Sequence, residues 1–417
     1  MKLHMLWVIV VTGTAACSAP AAPAVLETET FRHYVEQFNK DDEELHRNVY
    51  PNAEAWDFLE HNIPMLDCPD EDIQRTYYFR WWTYRKHIKK TPAGFIVDEF
   101  LPPVSWAGKY NAIPCPAGHH FYEGRWLRNC GILDDYARFW FRGGGNPHAY
   151  SFWAADAIWA RSLVNGDTGV AVDLLPDLIR NYEAWEKAKR DPSGLFWQVD
   201  DRDGMEVSIG GSGYRATINS YQFGDAVAIS RIATLAGQKD VARDFMEKAE
   251  QIKELVQTRL WDKDAQFFKV LPRGGNSKLV DVRELHGFTP WYFNLPDTGK
   301  GYEVAWKDGT WDAGKGGVER GKDYNHSTYC DLIISGLVGL RPRMDATVEV
   351  NPLLPRSWDF CCLDQIPYHG HLLTILWDKT GEKYHKGKGL RVLADGREIA
   401  GSEKLGRITG TLPEISQ

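Results

Sequence analysis

The sequence predicts a mainly α-helical body of paired helices, followed by a small β-rich region at the carboxyl end. Apolar residues recur at intervals of three and four in the ranges 175–182, 229–236 and 241–256, which is the spacing that buries one face of a helix. After Arg341-Pro342 the pattern changes to short segments with the composition of strands. These observations together predict stacked helical hairpins with a β appendage.

The β-rich region is predicted from three strand-like segments and one turn. The segments are residues 347–350, 372–377 and 390–393, and Asp395-Gly396 is typical of a two-residue hairpin turn. Strict sequence repeats are absent, which argues against a solenoid array. The predicted division is a leader over residues 1–24, a helical body over 25–341 and a β-rich region over 342–417.

The composition is that of an ordered globular protein, with 43% hydrophobic and 25% charged residues among 417. A net charge of −8 argues against general nucleic-acid binding, which needs a basic face. The unusual feature is the excess of aromatic residues, with 17 Trp and 18 Tyr. Two interpretations stay open: a Trp-rich core, or a cleft lined with flat amphipathic rings of the kind that bind sugars.

The amino-terminal segment predicts export. Lys2 precedes an apolar run over residues 6–11, then small residues and prolines follow, and the run is too short to span a bilayer. The residues before Cys17 resemble a bacterial lipobox, which would place a lipid anchor on Cys17, and simple cleavage among the alanines is the alternative. We therefore expect a periplasmic protein or an outer-membrane lipoprotein, with no membrane span and no prediction of its oligomeric state.

Neither a cofactor nor a metal is expected from the motifs. The cysteines lack paired ligand spacing, and His119-His120 has no Glu-x-x-His partner, so a zinc site is not predicted. The sequence has no G-x-S-x-G motif and no glycine loop of the kind that holds phosphate.

Four clusters combine acids, aromatic residues and bases where helical hairpins begin or join. They are residues 77–87, 118–127 together with 150–160, 198–221, and 318–332. The third contains the acidic tract QVDDRDGMEVSIGGSGY over residues 198–214, in which acids are followed by glycines. Each cluster alone is typical of a core or a helix cap, but four of them together predict one shared cleft.

Several motifs resemble those of a known enzyme group. The strings FRWWTYRKHI, EGRWL, YSFWAADA, DDRDGMEVSIGG and DYNHSTYCDLIISGLVGLRPR are similar to the bacterial glycoside hydrolases with a mannosylglycerate-hydrolase-like domain, relatives of trehalases and processing α-glucosidases. The resemblance covers roughly residues 70–400. It implies an (α/α)6 toroid with the site where the inter-helix loops converge, and it does not identify the substrate.

The resemblance also implies a general acid within a short turn. That turn matches Asp203-Gly204-Met205-Glu206 and places the acid at Glu206 rather than Asp203. A carboxyl beside Trp197 and Met205 can have a raised pKa, as proton donation near neutral pH requires. The alternative is that Asp203-Gly204 forms only a turn and that Glu206 caps the next segment.

One departure from the family pattern affects the second catalytic carboxylate. The tract expected before the DYNHS motif is missing, so Glu319 and Asp312 are candidates for the general base by position only. The toroid is therefore predicted to be incomplete, with fewer than twelve long helices between residues 30 and 340. The gap would lie between Trp306 and Ser327 and would expose apolar residues around 291–293.

The resulting hypothesis is an exported glycoside hydrolase that acts on an oligosaccharide or small glycoside by inversion. One alternative is a catalytically degenerate glycan-binding protein of the same fold. Another is a polysaccharide lyase, with a base provided by Tyr324-Asn325-His326. The residues expected to stack on or bind the carbohydrate are Arg80, Trp82, Glu123, Arg125, Trp126, Trp153, Asp156, Trp197, Tyr214, Asn219, Asn325 and His326.

Overall fold

The computed structural model describes residues 24–204, 207–274, 278–297 and 323–414. Three helices, α1 to α3, lie before residue 88: Arg32–Lys40, Ala55–Asn62 and Glu71–His87. The helices α4 to α9 follow: Ala117–Gly124, Gly131–Arg142, Ala154–Asn165, Gly169–Lys189, Ala216–Leu235 and Lys239–Arg259. Two short helices, α10 and α11, are Thr289–Tyr292 and Tyr329–Leu332.

The burial pattern separates inner helices from outer ones. In α6 and α8 nearly every position is buried, as in a helix surrounded by protein. In α9, by contrast, the buried residues Phe245, Ala249, Ile252 and Val256 form one stripe on an otherwise exposed helix. Helix α9 therefore covers the outside, with its apolar stripe packed against α8.

The inner helices pack in sequence around a ring. Helix α4 contacts α6, α6 contacts α8, and α8 contacts α10, while α11 returns to contact α3 and α4. Connections from inner to outer helices are short, such as 166–168 after α6 and 236–238 after α8. Those that lead into the next inner helix are long, such as 88–116 and 190–215. The long loops consequently gather at the ends where inner helices begin.

This architecture confirms the predicted fold class: a mainly helical body of the (α/α)6 type with a carboxyl-terminal β region. Most of the predicted gap between Trp306 and Ser327 falls within residues 298–322, outside the described part of the chain, so the missing helices stay a prediction. Of the expected apolar edge, Tyr292 is exposed while Trp291 and Phe293 are partly buried.

The strands form one larger sheet and several small ones. In chain order β1 to β14 are Met65–Asp67, Ile88–Thr91, Gly94–Val97, Trp197–Gln198, Gly213–Tyr214, Trp261–Asp262, Phe267–Phe268, Leu340–Arg341, Thr347–Val350, Phe360–Tyr368, His371–Asp378, Gly389–Ala394, Arg397–Ser402 and Ile408–Thr411. The five-stranded sheet has the order β1-β10-β11-β12-β13, and β14-β9-β8 form a second sheet.

The amino-terminal part of the chain is attached to the carboxyl-terminal sheet. Strand β1 pairs antiparallel with β10, with Leu66 opposite Leu363. The backbone N–H groups of Val25 and Leu26 donate to the Asp364 carboxylate at 2.6 and 2.9 Å. Because this carboxylate is buried, the two amides satisfy acceptors that would otherwise be costly to bury.

Within the described residues, none of the helices is both long enough and apolar enough to cross a membrane.

We expect Gly224→Ala to destabilise the protein by about 1–3 kcal/mol, because the site has no room for a methyl group. A Cβ at Gly224, in the middle of α8, would lie 2.4 Å from the Phe293 ring. Urea unfolding followed by circular dichroism measures the change. The matched control is Gly336→Ala, where no atom lies within 4 Å of the new methyl group. Equal stability of the two variants would contradict the tight packing of α8 against Phe293.

Candidate active site

A continuous belt of aromatic contacts crosses the end of the ring where the long loops gather. It consists of His326, His119, Trp153, Tyr221 and Phe293, with successive ring centroids 4.8, 4.9, 4.4 and 5.7 Å apart. His119 lies in the first turn of α4 and Tyr221 in the second turn of α8, while the other three lie in segments beside α6, α10 and α11. All except Trp153 are partly exposed. The belt therefore forms a floor of amphipathic rings.

Two polar atoms of the belt lack a hydrogen-bond partner among the described residues. They are His119 Nδ1 and Trp153 Nε1, both of which are buried. Burial and the nearby His326 lower the pKa of His119 well below its usual range, so its ring is neutral. A neutral imidazole can donate a hydrogen bond to a hydroxyl group or accept one from it, and an indole N–H can donate one.

Asp203 is fixed beside this floor by three donors. Its carboxylate accepts hydrogen bonds from Ser151 Oγ at 2.6 Å, from Arg215 Nε at 2.8 Å and from the Thr217 hydroxyl. Burial raises the pKa of Asp203 to about 6, although Arg215 acts to lower it. These contacts anchor the turn of the two candidate catalytic acids, Asp203 and Glu206, and the placement of the general acid at Glu206 stays a prediction.

The turn leads rapidly from this buried anchor to the surface. Gly204 has a φ of 74°, and a Cβ there would lie 2.8 Å from the Cys115 Sγ atom, so the position favours glycine. Val207 is 92% exposed. Met205 and Glu206, between these two points, lie outside the described residues, as do Glu319 and Asp312. Their catalytic roles stay predictions.

The rest of the acidic tract is cross-linked to its surroundings. Asp200 accepts from Arg215 at 2.7 Å and from Ser208, while the Glu284 carboxylate accepts the backbone N–H groups of Ile209 and Gly210 at 2.7 and 2.8 Å. The acids around the turn thus have structural partners. These contacts hold the tract on both sides of residues 205 and 206, which lie outside the described part of the chain.

The EGRWL segment joins α4 to α11. Asp331 Oδ1 accepts from Arg125 Nη2 at 2.8 Å and from Trp126 Nε1 at 2.7 Å. Glu123 accepts the N–H groups of Cys330 and Asp331 at 3.2 and 3.0 Å. Glu123, Arg125 and Trp126 are buried, so the structure gives them contacts that hold α11 and does not support contact with a carbohydrate.

The other predicted tryptophans differ in their surroundings. Trp82 is 1% exposed and donates to Asn39 Oδ1 at 2.8 Å, so its ring belongs to the core. Trp197 lies between the Lys189 ammonium and the Arg273 guanidinium, 3.9 and 4.0 Å from the ring centroid. Of the four predicted sugar-stacking tryptophans, only Trp153 belongs to the belt.

The remaining predicted residues divide between the cleft and the scaffold. Arg80 Nη2 donates to Asn325 Oδ1 at 3.0 Å, next to His326. Asp156 lies one turn below Trp153 and accepts from the Tyr122 hydroxyl at 2.6 Å. Two have structural partners: Asn219 exchanges hydrogen bonds with the Phe196 backbone, and Tyr214 pairs with Trp197 between β4 and β5.

Three residues at the loop end were not predicted as site residues. Glu99 Oε1 lies 3.2 Å from His326 Nδ1, His119 belongs to the belt, and Trp106 is 56% exposed beside Phe100. All three lie in or next to the long loop 88–116. The acids and aromatic residues of this loop are typical of a segment that lines a site. The spacing of residues along the sequence, however, does not indicate that Glu99 contacts His326. The described residues contain no group of three or more metal-ligating side chains.

A ring of paired helices, with a loop-end cleft and an attached β-sheet, is the architecture of the six-hairpin glycosidases. The chain belongs to the family described as the mannosylglycerate hydrolase MGH1-like glycoside hydrolase domain, whose model matches residues 109–319. The C-terminal domain of glycosyl hydrolase family 65 matches residues 340–400. The predicted family is therefore confirmed.

Solved structures show the same fold. A protein named as a sialidase is 37% identical with a TM-score of 0.86, and the match covers 92% of this chain and 45% of that one. A family GH78 rhamnosidase from Bacillus sp. GL1 is 11% identical, with a TM-score of 0.59 and coverages of 79% and 41%. An α-L-rhamnosidase from Dictyoglumus thermophilum is 14% identical, with a TM-score of 0.54 and coverages of 77% and 43%. The chain thus spans less than half of the length of these proteins.

We expect Glu123 to contribute a loss of stability as the pH rises from 4.5 to 7. Burial raises the pKa of Glu123 to about 7 from its ordinary 4.5, so in this window the folded protein retains a proton that the unfolded chain releases. The free energy of unfolding therefore falls as the pH rises, by up to about 3 kcal/mol from this group. Glu123→Gln should remove this contribution from the pH slope and leave the contributions of the other buried titratable groups, such as Asp203 and His119.

Urea unfolding at pH 4.5, 5.5 and 7 measures both slopes. Glu247→Gln on α9 is the control, because Glu247 is exposed and its loss should leave the wild-type slope unchanged. Parallel pH slopes in the wild type and in Glu123→Gln would contradict the prediction.

Proposed function

We propose that this protein is a glycoside hydrolase that acts on an oligosaccharide or small glycoside by inversion, with Glu206 as the proton donor. The family to which the chain belongs supports glycosidase chemistry. The observation that carries the proposal is the turn at Asp203, anchored by Ser151 and Arg215 beside the aromatic belt. Asp203 precedes the proposed donor Glu206 by three residues in the sequence, which supports a donor near the belt.

In this mechanism the donor carboxyl protonates the glycosidic oxygen while water attacks the anomeric carbon from the opposite face. Inversion requires a second carboxylate about 6.5–9.5 Å from the donor, so that a water molecule fits between sugar and base. Glu319 and Asp312 remain the candidates predicted from the sequence. Tyr221 and Phe293, which are partly exposed, would receive the apolar face of the sugar ring, since flat rings complement such a surface. The ring of Trp153 is 1% exposed and packs behind them, so the structure does not support the predicted stacking of Trp153 itself on a sugar.

We expect Glu206→Gln to lower kcat by about 10²–10⁴-fold on natural glycosides, because the leaving oxygen would depart without a proton. The assay is sugar release from a panel of mannosylglycerate, sialosides, rhamnosides and glucosides. Dinitrophenyl glycosides need no acid, so Glu206→Gln should hydrolyse them at nearly the wild-type rate. Asp201→Asn, an exposed acid of the same tract, is the control and should leave both rates unchanged.

The outcomes separate the alternatives. Equal rates of Glu206→Gln and the wild type on natural glycosides would remove Glu206 from the mechanism. Binding on a glycan array without hydrolysis of any bound glycan would instead favour a glycan-binding protein. An unsaturated product from a uronate polymer would indicate a lyase. Nuclear magnetic resonance of the first-formed anomer tests inversion directly.

We also propose that the protein is exported and is either periplasmic or anchored in the outer membrane through Cys17. The support is the leader-like segment over residues 1–24. Mass spectrometry of the mature protein from a bacterial host should show a lipid-modified Cys17 at the new amino terminus. Cleavage among the alanines, giving an unmodified cysteine, would contradict the lipid anchor, and an intact Met1 would contradict export.

A further inference from the structure

We infer that Glu99, positioned by His326, is the proton acceptor of this site. The inference rests on the proposed hydrolase function and deepens it by naming a second carboxylate among the described residues. Glu99 lies at the start of the long loop 98–116, its side chain 8% exposed, and its Oε1 atom is 3.2 Å from His326 Nδ1. It thus touches one end of the aromatic belt.

The backbone around Glu99 is fixed by the segment that precedes α11. The carbonyl oxygen of Glu99 accepts the Asn325 N–H at 2.8 Å, and the Leu101 N–H donates to the Asp323 carbonyl at 3.3 Å. A β-bridge joins Phe100 to Tyr324 between these two bonds. Reacting groups need such rigid support, since small displacements lower the rate strongly.

The other described carboxylates near the cleft have partners that hold the fold. Asp203 and Asp200 are bonded to Arg215, while Glu284, Glu123 and Asp225 each accept two backbone N–H groups. Asp156 has the Tyr122 hydroxyl as its side-chain donor, but it lies one helical turn below Trp153. Glu99 combines a single side-chain partner with a position at the level of the belt.

His326 is suited to orient this carboxylate. Its Nδ1 atom also lies 2.8 Å from the Tyr324 hydroxyl oxygen, and with the proton on Nδ1 the N–H is shared between that oxygen and the Glu99 carboxylate. His119 and the Arg80–Asn325 pair are the other polar neighbours of the imidazole in the described chain. The belt leads from His326 through His119 to Trp153, two residues after the Ser151 that holds Asp203. The acceptor and the anchored turn therefore meet the same floor.

The bonds and protons of the reaction balance when Glu99 accepts the proton of the attacking water. The water oxygen forms the new bond to the anomeric carbon, and one water proton passes to the Glu99 carboxylate. The bond between the anomeric carbon and the glycosidic oxygen breaks, and that oxygen takes its proton from the donor of the proposed mechanism. Proton exchange with solvent then restores both groups, so that no oxidant or other co-reactant is needed.

Chemical rescue with azide tests the acceptor role. The substrates are aryl glycosides of the sugar that the wild type hydrolyses. Glu99→Ala should lower kcat by about 10²–10⁴-fold, and sodium azide, which needs no base, should restore turnover and give a glycosyl azide of inverted configuration. Glu319→Ala, Asp312→Ala and Asp156→Ala are assayed in the same way. His326→Ala should lower kcat by about 10-fold, and His326→Asn, which retains a donor near the Nδ1 position, should recover most of it.

Asp395→Asn is the matched control, because Asp395 forms a similar carboxylate–histidine contact with His371 at 2.6 Å on the β-sheet. It should retain wild-type kcat. Near-wild-type activity of Glu99→Ala, or azide rescue of Glu319→Ala, Asp312→Ala or Asp156→Ala but not of Glu99→Ala, would overturn the inference alone. If Glu99→Ala does not fold, judged by circular dichroism, kcat of Glu99→Gln decides. A wild type that hydrolyses no glycoside overturns the proposed function, and the acceptor role falls with it.

Discussion

The buried contact between Arg125 and Asp331 is the interaction on which the helical ring depends. It joins α4, the inner helix that follows the loop 88–116, to α11, the last described helix of the body. Trp126 donates to the same Asp331 oxygen, and Glu123 accepts the backbone N–H groups of Cys330 and Asp331. Breaking such a pair leaves an uncompensated buried charge, typically at a cost of about 3–5 kcal/mol. The cleft can exist only while the two ends of the ring stay joined.

The direction of the inner helices explains why the candidate site lies at one end of the ring. Inner helices that run in one direction place their first turns together, and the long loops arrive there. His119 comes from the first turn of α4 and Tyr221 from the second turn of α8, whereas Glu99 and Asp203 come from the loops. Helices supply part of the aromatic belt, and the long loops supply the carboxylates of Glu99 and Asp203. Burial also shifts the pKa of such a group from its value in water, as the raised pKa of Asp203 illustrates.

The sequence predicted the fold class because α7, α8 and α9 carry clear apolar periodicity. It also indicated the clusters that meet in the cleft, but not the partners within them. Trp82 and Trp126 were predicted to contact sugar because tryptophan often stacks on sugar rings. Only the packing in the structure reveals that both are buried. The contact of Glu99 with His326 joins residues that are 227 positions apart, and no local pattern encodes such a distance.

Strand β1 has a consequence for how the chain folds. Its partner β10 is made about 300 residues later, so the five-stranded sheet cannot be completed until almost the whole polypeptide has left the ribosome. Until then the edge of Met65–Asp67 is unpaired, and such edges invite association with other chains. Contacts of this sequence separation also slow folding. Secretion of an unfolded precursor would postpone this step to the destination compartment, where both ends of the chain arrive together.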